Sequence, residues 1–249
     1  MSDPIVRVRA LTKRYGRSSV LRGVDLDIGT GECVGLAGVN GAGKTTLLKC
    51  MLDFSAADSG TVELFGLPAT TPRSRERLAF LPERFAPPYY LTGADFLRYA
   101  AELRGKRFDP EDVTSMVGAL DLDPSALTRP VRTYSKGMTQ KLGLAAVFLV
   151  RRDLLILDEP MSGLDPKARA CVKRILFAEH ARGRTVFFTS HSLADIAEIC
   201  DRVVVLHRGV PYFAGTPRQL CQDFGEGPHP SLEEAFLRCI EAQANDGSI

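Results

Sequence analysis

The sequence has little of what would direct a protein to a membrane or to nucleic acid. Lysine and arginine (32 residues) nearly balance aspartate and glutamate (30 residues), so the formal net charge of +2 provides no overall attraction to nucleic acid or an anionic bilayer. The longest uninterrupted apolar run, from Leu142 to Val150, is far shorter than the roughly 20 residues that span a bilayer. No basic segment followed by an apolar one precedes the first strand-like segment, so we expect no signal peptide, no membrane insertion and a cytoplasmic protein.

The cysteines lack the spacing of a disulfide framework or a metal site. They lie at positions 33, 50, 171, 200, 221 and 239, with no C-x-x-C pair and no histidine at ligand spacing. We therefore expect reduced, mostly buried thiols, and neither disulfides nor a zinc site. Internal repeats and low-complexity segments are also absent from the 249 residues. A chain of this length can bury one substantial core with a smaller subdomain attached.

A glycine-rich segment is the most informative part of the chain. It matches the phosphate-binding P-loop, G-x-x-x-x-G-K-[ST], at every fixed position. It follows a short apolar stretch, 33–37, that is typical of a buried strand, and it precedes a stretch, 46–52, with the apolar spacing of a helix. This context disfavours a chance glycine-rich turn. The motif consists of Gly38, Val39, Asn40, Gly41, Ala42, Gly43, Lys44 and Thr45, and Thr46 follows it.

The residue types of this motif suit a nucleoside triphosphate. Glycines let the backbone curve closely around a phosphate chain, and the amide N–H groups of the loop and of the helix start then point at the anion. Lys44 supplies a mobile positive charge for the β- and γ-phosphates, and the Thr45 hydroxyl can hold Mg²⁺. The motif therefore predicts binding of a nucleoside triphosphate with Mg²⁺.

Two carboxylates follow an apolar strand-like segment at 154–157. In an α/β fold such a strand delivers Asp158 and Glu159 to the sheet edge at which ligands bind. Asp158 suits the Mg²⁺ shell, and Glu159 suits the orientation or deprotonation of a hydrolytic water. A solvated strand end is the simpler interpretation of the pair alone, but the P-loop upstream favours the functional one.

The order of segments predicts an α/β fold with a P-loop NTPase core. Short alternating segments at 5–9, 24–28 and 61–66, with a turn at 13–17, indicate a small antiparallel sheet. Buried strands at 154–157 and 185–189, separated by a helix at 166–181, indicate a mostly parallel sheet. Helices beginning at Thr92, Asp109 and Ser135 form a helical insert at about 91–149 within a single domain, 1–249, that closes with a helical tail from about 216.

These motifs together resemble the nucleotide-binding subunit of an ATP-binding cassette (ABC) transporter. The resemblance assigns Tyr15 to the adenine platform, Ser135 and Gly137 to the signature segment, Ser162–Asp165 to the D-loop and His191 to the switch histidine. It implies ATP as the nucleotide. It also implies a head-to-tail dimer, homologous or identical, in which Ser135 and Gly137 face the γ-phosphate held by the other subunit. Ser135 is also the expected N-cap of its helix.

The sequence departs from the family pattern at two places. The signature segment reads Tyr134-Ser135-Lys136-Gly137-Met138, and Glu83 stands where the family usually carries a glutamine that contacts the Mg²⁺ site. We expect the signature site to survive because Ser135 and Gly137 are retained. We expect Glu83 to engage Mg²⁺ or its water shell, whereas a solvated loop glutamate is the simpler alternative. These departures, with the closing segment 231–237, resemble a branch that exports drugs, lipids, polysaccharides or ions.

The resemblance implies an ATPase that powers a separate integral membrane permease. The permease would select the substrate, dock near residues 83–105 and hold the chain at the cytoplasmic face of the membrane. An importer subunit, a non-transport machine with an ABC-type head and a P-loop small-molecule kinase are the alternatives. The kinase would not explain the signature segment, and the machine class usually carries long coiled coils, which this sequence does not show.

Overall fold

The computed structural model describes residues 3–227 and 230–246 and has the predicted α/β architecture. A four-stranded antiparallel sheet lies beside a six-stranded, mostly parallel sheet, and helices pack against the latter. Within the described ranges, no helix combines the length and hydrophobicity needed to cross a bilayer. The predicted fold class is therefore confirmed.

The antiparallel sheet has the strand order β2-β1-β4-β5. Its first hairpin differs from the prediction, because β1 continues through Lys13 and Arg14 and ends at Tyr15, where a turn was expected. Tyr15 pairs with Ser18, and Gly16, with φ +58°, opens the two-residue turn between them. The strands are β1 (Val6–Tyr15), β2 (Ser18–Ile28), β4 (Ser59–Leu64) and β5 (Leu67–Pro68).

The parallel sheet has the strand order β10-β9-β3-β8-β7-β6, and only the β9–β10 pair is antiparallel among the pairs described. Alternate residues of β7 enter opposite cores: Leu155 and Leu157 pack on one face, and Leu154 and Ile156 on the other. The strands are β3 (Cys33–Ala37), β6 (Leu78–Leu81), β7 (Leu154–Leu157), β8 (Thr185–Thr189), β9 (Arg202–His207) and β10 (Val210–Gly215). Burial on both faces explains why β3, β7 and β8 are uniformly apolar in sequence.

The predicted helix starts at Thr92, Asp109 and Ser135 are confirmed, and Asp165 caps a further helix in the same way. The side chains of Thr92, Asp109, Ser135 and Asp165 each accept a backbone N–H bond from the first turn that follows. The helices are α1 (Lys44–Met51), α2 (Gly93–Glu102), α3 (Pro110–Ala119), α4 (Lys136–Leu149), α5 (Pro166–Ala181), α6 (Leu193–Ile199), α7 (Pro217–Phe224) and α8 (Leu232–Asp246). Short 3₁₀ helices span Pro72–Arg75, Pro124–Thr128 and Val131–Thr133.

The segment from α2 to α4 leaves the sheet after β6 and returns at β7, although these two strands are direct neighbours. The predicted insert at 91–149 corresponds to this excursion, and its treatment as a subdomain stays a prediction. Helices α7 and α8 lie within the predicted tail at 216–249. Residues 228, 229 and 247–249 of that tail lie outside the described residues.

Candidate functional site

The loop between β3 and α1 has the backbone shape that a phosphate cradle requires. Gly41 and Gly43 have φ values of +80° and +110°, which side-chain-bearing residues rarely adopt. A Cβ on Gly38 would lie 2.4 Å from the carbonyl oxygen of Leu206, so that position also excludes a side chain. Backbone conformation and close packing therefore require glycine at these positions, in addition to the space that a bound phosphate chain needs.

Lys44 lies at the start of α1 with its ammonium turned back into the loop. Its Nζ donates to the carbonyl oxygen of Gly38 at 2.6 Å and lies 3.4 Å from that of Val39. Burial lowers the pKa of Lys44, and the charges of Glu159, Asp158 and, in smaller measure, Glu83 oppose that shift. The loop carbonyls therefore bind the Lys44 ammonium group, which can form hydrogen bonds with phosphate oxygens instead.

A cavity of about 330 Å³ opens over this loop and brings most of the predicted residues together. Glu83, which follows β6, reaches the same cavity as the two carboxylates after β7 and the histidine after β8. The carboxyl ends of parallel strands meet at this edge, as expected for an α/β sheet. The lining consists of Val20, Asn40, Gly41, Ala42, Gly43, Lys44, Thr45, Thr46, Glu83, Asp158, Glu159 and His191.

Asp158 is buried between two hydroxyl groups. Its Oδ1 accepts a hydrogen bond from Thr189 Oγ1 at 2.7 Å, and its Oδ2 accepts one from Thr45 Oγ1 at 3.3 Å. Burial raises the pKa of Asp158, and both hydroxyl bonds counteract the shift. A buried carboxylate beside a threonine hydroxyl supplies the hard oxygen donors that Mg²⁺ prefers, so the residues present fit this ion.

Glu159 has an unusual backbone and a buried carboxyl group. Its φ is +50°, and its N–H donates to Thr189 Oγ1 at 2.8 Å. Its Oε1 lies 3.2 Å from His191 Nε2 without forming a hydrogen bond, and its Oε2 accepts a hydrogen bond from the His191 backbone N–H at 3.4 Å. Burial raises the pKa of Glu159, and His191 opposes the shift. A weakly solvated base therefore faces the cavity that holds Lys44 and Asp158.

Five residues of the predicted site lie outside this lining, namely Gly38, described above, and four others. Tyr15 is half exposed at the end of β1, where Lys13 Nζ lies 5.3 Å from its ring centroid. Ser135 is exposed and caps α4 by accepting the Met138 N–H at 3.2 Å, and Gly137 stands beside the carbonyl of Gly163. Val39 is exposed. One chain therefore does not place the signature segment in its own cavity.

Sequence reasoning gave no role to two buried side chains that hold this site. Thr189, the last residue of β8, connects Asp158 to the backbone of Glu159. Gln140 on α4 donates its amide to the carbonyl oxygen of Pro160 at 3.0 Å and lies 3.5 Å from that of Glu159. Thr189 ends an apolar strand, but Gln140 stands between Thr139 and Lys141, so the sequence gives no signal that marks Gln140 as a buried polar residue.

Comparison with known proteins gives relatives named as ABC ATP-binding proteins. The chain is 39% identical to an uncharacterized ABC transporter ATP-binding protein of Synechocystis, over 76% of this chain and 54% of that protein. It is 34% identical to the Nod factor export ATP-binding protein I of Ralstonia nicotianae (88% and 69% covered) and 37% identical to the fluoroquinolones export ATP-binding protein of Mycobacterium tuberculosis (87% and 72%). The matches span 54% and 61% of the length of the first two curated relatives.

The fold has a counterpart among solved structures. One described as the ATP binding subunit of an ABC transporter superposes with a TM-score of 0.83 at 29% identity, over 94% of this chain and 99% of that one. A family model described as ABC transporter matches residues 21–162, which include the P-loop, the signature segment and both carboxylates. The resemblance drawn from the motifs is confirmed, and the chain belongs to the ABC transporter family.

Proposed function

We propose that this protein is the ATP-binding and ATP-hydrolysing subunit of a membrane transporter. The observation that carries the proposal is the single cavity shared by Lys44, Asp158, Glu159 and His191, which follow three different strands, β3, β7 and β8. Such a cavity combines an anion cradle, a cation site and a base, which are the parts that phosphoryl transfer to water requires.

Each of these residues has a defined task. The loop amides and Lys44 bind the β- and γ-phosphates, and Lys44 exchanges the Gly38 carbonyl for phosphate oxygens. Glu159 orients the attacking water and accepts its proton, helped by burial that raises its pKa toward the working pH. His191, whose side chain is 55% exposed beside Glu159, can donate a hydrogen bond to the γ-phosphate.

Thr45 and Asp158 would hold Mg²⁺, and Glu83 would approach it from the loop after β6. The ion, when bound, would neutralise charge on the phosphates. In the structure Asp158 is already within reach of the Thr45 hydroxyl, so little rearrangement of these two residues is needed.

The active unit that we propose is a head-to-tail dimer of two such subunits. The start of α4, with exposed Ser135 and half-buried Gly137, does not line the cavity of its own subunit. The Ser135 hydroxyl, the Gly137 amide and the helix start would form an anion site for a nucleotide that a second subunit brings. Tyr15 would stack on the adenine of its own subunit's ATP.

A separate permease is the proposed membrane partner, and export is the proposed direction. An apolar groove of about 210 Å³ lies between β6, α2 and α4, within reach of the predicted docking region at 83–105. Phe85, Phe96 and Leu103 line it, and Tyr89 and Tyr90, which follow Phe85 in the sequence, are exposed. Two relatives are named for export, one of Nod factors and one of fluoroquinolones. Docking of the permease would place this chain at the cytoplasmic face of the membrane.

Purified protein with MgATP tests the catalytic part of the proposal. Lys44→Ala should raise the dissociation constant for MgATP, whereas Glu159→Gln should bind MgATP normally, lose turnover and accumulate as an ATP-bound dimer in size-exclusion chromatography. Normal turnover in Glu159→Gln would remove that residue from its role. After co-purification of the permease and reconstitution in vesicles with the ATPase subunit outside, MgATP-driven accumulation of a dye or peptide inside the vesicles indicates export, and MgATP-driven loss from preloaded vesicles indicates import.

A further inference from the structure

Gln140 is a buried polar residue on α4 whose side chain leaves its helix to reach the segment after β7. It is 5% exposed, and its Nε2 donates to the carbonyl oxygen of Pro160 at 3.0 Å and lies 3.5 Å from that of Glu159. Both carbonyls are next to the carboxylate of the proposed base. A buried amide in this position replaces water that the two carbonyls would otherwise need.

The backbone that Gln140 contacts is strained. Glu159 adopts φ +50°, a left-handed conformation that is unfavourable for a residue with a side chain. Pro160 follows directly and restricts Glu159 further. This conformation persists only if the surroundings hold it on both sides. Thr189 Oγ1 accepts the N–H of Glu159 at 2.8 Å, and Gln140 binds on the carbonyl side.

We propose that Gln140 is a positioning residue for hydrolysis, which it serves by holding Glu159 in the left-handed conformation that presents its carboxylate to His191. The inference rests on the proposed ATPase function. Gln140 does not line the cavity and contacts the Glu159–Pro160 backbone, so its effect on hydrolysis passes through that backbone. A displacement of about 1 Å at a reacting group can cost about a hundredfold in rate.

A purely structural role makes a different prediction. If Gln140 only satisfies buried carbonyls, its loss lowers stability and leaves the turnover of the folded protein unchanged. If it positions Glu159, its loss lowers kcat and leaves nucleotide binding intact, because Lys44 and the loop glycines are untouched. Measurement of kcat and KM therefore distinguishes the two roles, because a positioning role lowers kcat alone and a purely structural role changes neither constant in the folded protein.

The test compares Gln140→Met with Gln140→Asn and with Lys141→Met. Methionine keeps the length of glutamine but removes the donor, and asparagine keeps the amide but withdraws it by one methylene group. Lys141 is the matched control, because it is also buried on α4 and its Nζ donates to the Asp121 carbonyl at 2.6 Å, away from the cavity. Steady-state hydrolysis of MgATP, equilibrium binding of MgATP and a crystal structure of Gln140→Met are the measurements.

We expect Gln140→Met and Gln140→Asn to lower kcat about 10- to 100-fold, with KM and the dissociation constant for MgATP within twofold of wild type. Lys141→Met should keep the wild-type kcat, and the Gln140→Met structure should show Glu159 outside the left-handed region. Wild-type kcat in both folded Gln140 variants would overturn the inference. If the wild-type chain itself hydrolyses no MgATP, the proposed function fails, and an unchanged φ of Glu159 in Gln140→Met would overturn the positioning role separately.

Discussion

Thr189→Val should weaken both the fold and the catalytic site. The Thr189 hydroxyl is fully buried, donates to Asp158 Oδ1 at 2.7 Å and accepts the Glu159 N–H at 2.8 Å. Valine has nearly the same shape, so no cavity forms and the loss is that of the two bonds. A bond to a charged group contributes about 1.5–3 kcal/mol and a neutral one about 1 kcal/mol, which gives about 3 kcal/mol in the free energy of unfolding.

The same substitution should also change the electrostatics of the site. The Thr189 hydrogen bond lowers the pKa of Asp158 against the effect of burial, so its removal should raise that pKa further. Release of the Glu159 N–H should reduce turnover. Equilibrium unfolding in urea measures the loss of stability, provided that the slope of the unfolding free energy against urea concentration is unchanged. The pH profile of MgATP hydrolysis measures the change in the site.

Thr185→Val is the matched control, on the same strand and equally buried. Its Oγ1 accepts the Gly31 N–H at 2.8 Å, at the end of β8 away from the cavity. It should cost only about 1 kcal/mol and leave hydrolysis unchanged. The reasoning is refuted if Thr189→Val is no less stable than Thr185→Val and retains wild-type turnover.

Three further predictions concern the charged residues and the second subunit. Glu159→Gln should unfold at a higher urea concentration than wild type, and the difference should grow as the pH rises above about 4. The reason is that burial raises the pKa of Glu159 in the folded state, so ionisation of this residue destabilises the wild-type fold. A difference that does not depend on pH would contradict this. Ser135→Arg should block ATP-dependent dimerisation. Mixing the Ser135→Arg and Lys44→Ala subunits should restore partial hydrolysis, because one of the two composite sites in the heterodimer then carries neither substitution. Complete inactivity of heterodimers that are shown to form would exclude the shared site. Glu83→Ala should raise the Mg²⁺ concentration for half-maximal hydrolysis and uncouple it from transport, with Glu83→Gln milder, whereas an unchanged Mg²⁺ titration argues for a solvated Glu83.

Local sequence patterns predicted most of the secondary structure correctly. The bounds of β7, β8 and α5 agree with the sequence-based expectation because uniformly apolar runs mark strands buried on both faces and Asp165 with Pro166 marks a helix start. The hairpin at Tyr15 was misjudged because β1 ends in half-exposed polar residues, whose alternation is weak although they pair with β2.

The support of the site could not be predicted in the same way. Thr189 and Gln140 meet Glu159 from 30 and 19 positions away along the chain, and no local pattern encodes such a contact. The left-handed backbone of Glu159 is equally hidden, because it follows from tertiary contacts and not from the preference of glutamate. Motifs predicted the candidate reacting groups, whereas the contacts that hold them could be seen only in the structure.

Helix α4 has a consequence for the thermodynamics of the proposed dimer. Ser135 and Gln140 are five residues apart, about 7.5 Å along the helix axis, so one rigid element joins the partner's nucleotide to this subunit's own base. Suppose that ATP binding in the partner's cavity moves α4 and thereby Glu159. Thermodynamic linkage then requires the reverse effect of equal size, in which ATP binding beside Glu159 changes the affinity of the partner's cavity for ATP. The two nucleotides of such a dimer would then bind cooperatively without contact between their own cavities, and a substitution at Gln140 would reduce the Hill coefficient for MgATP as well as the rate.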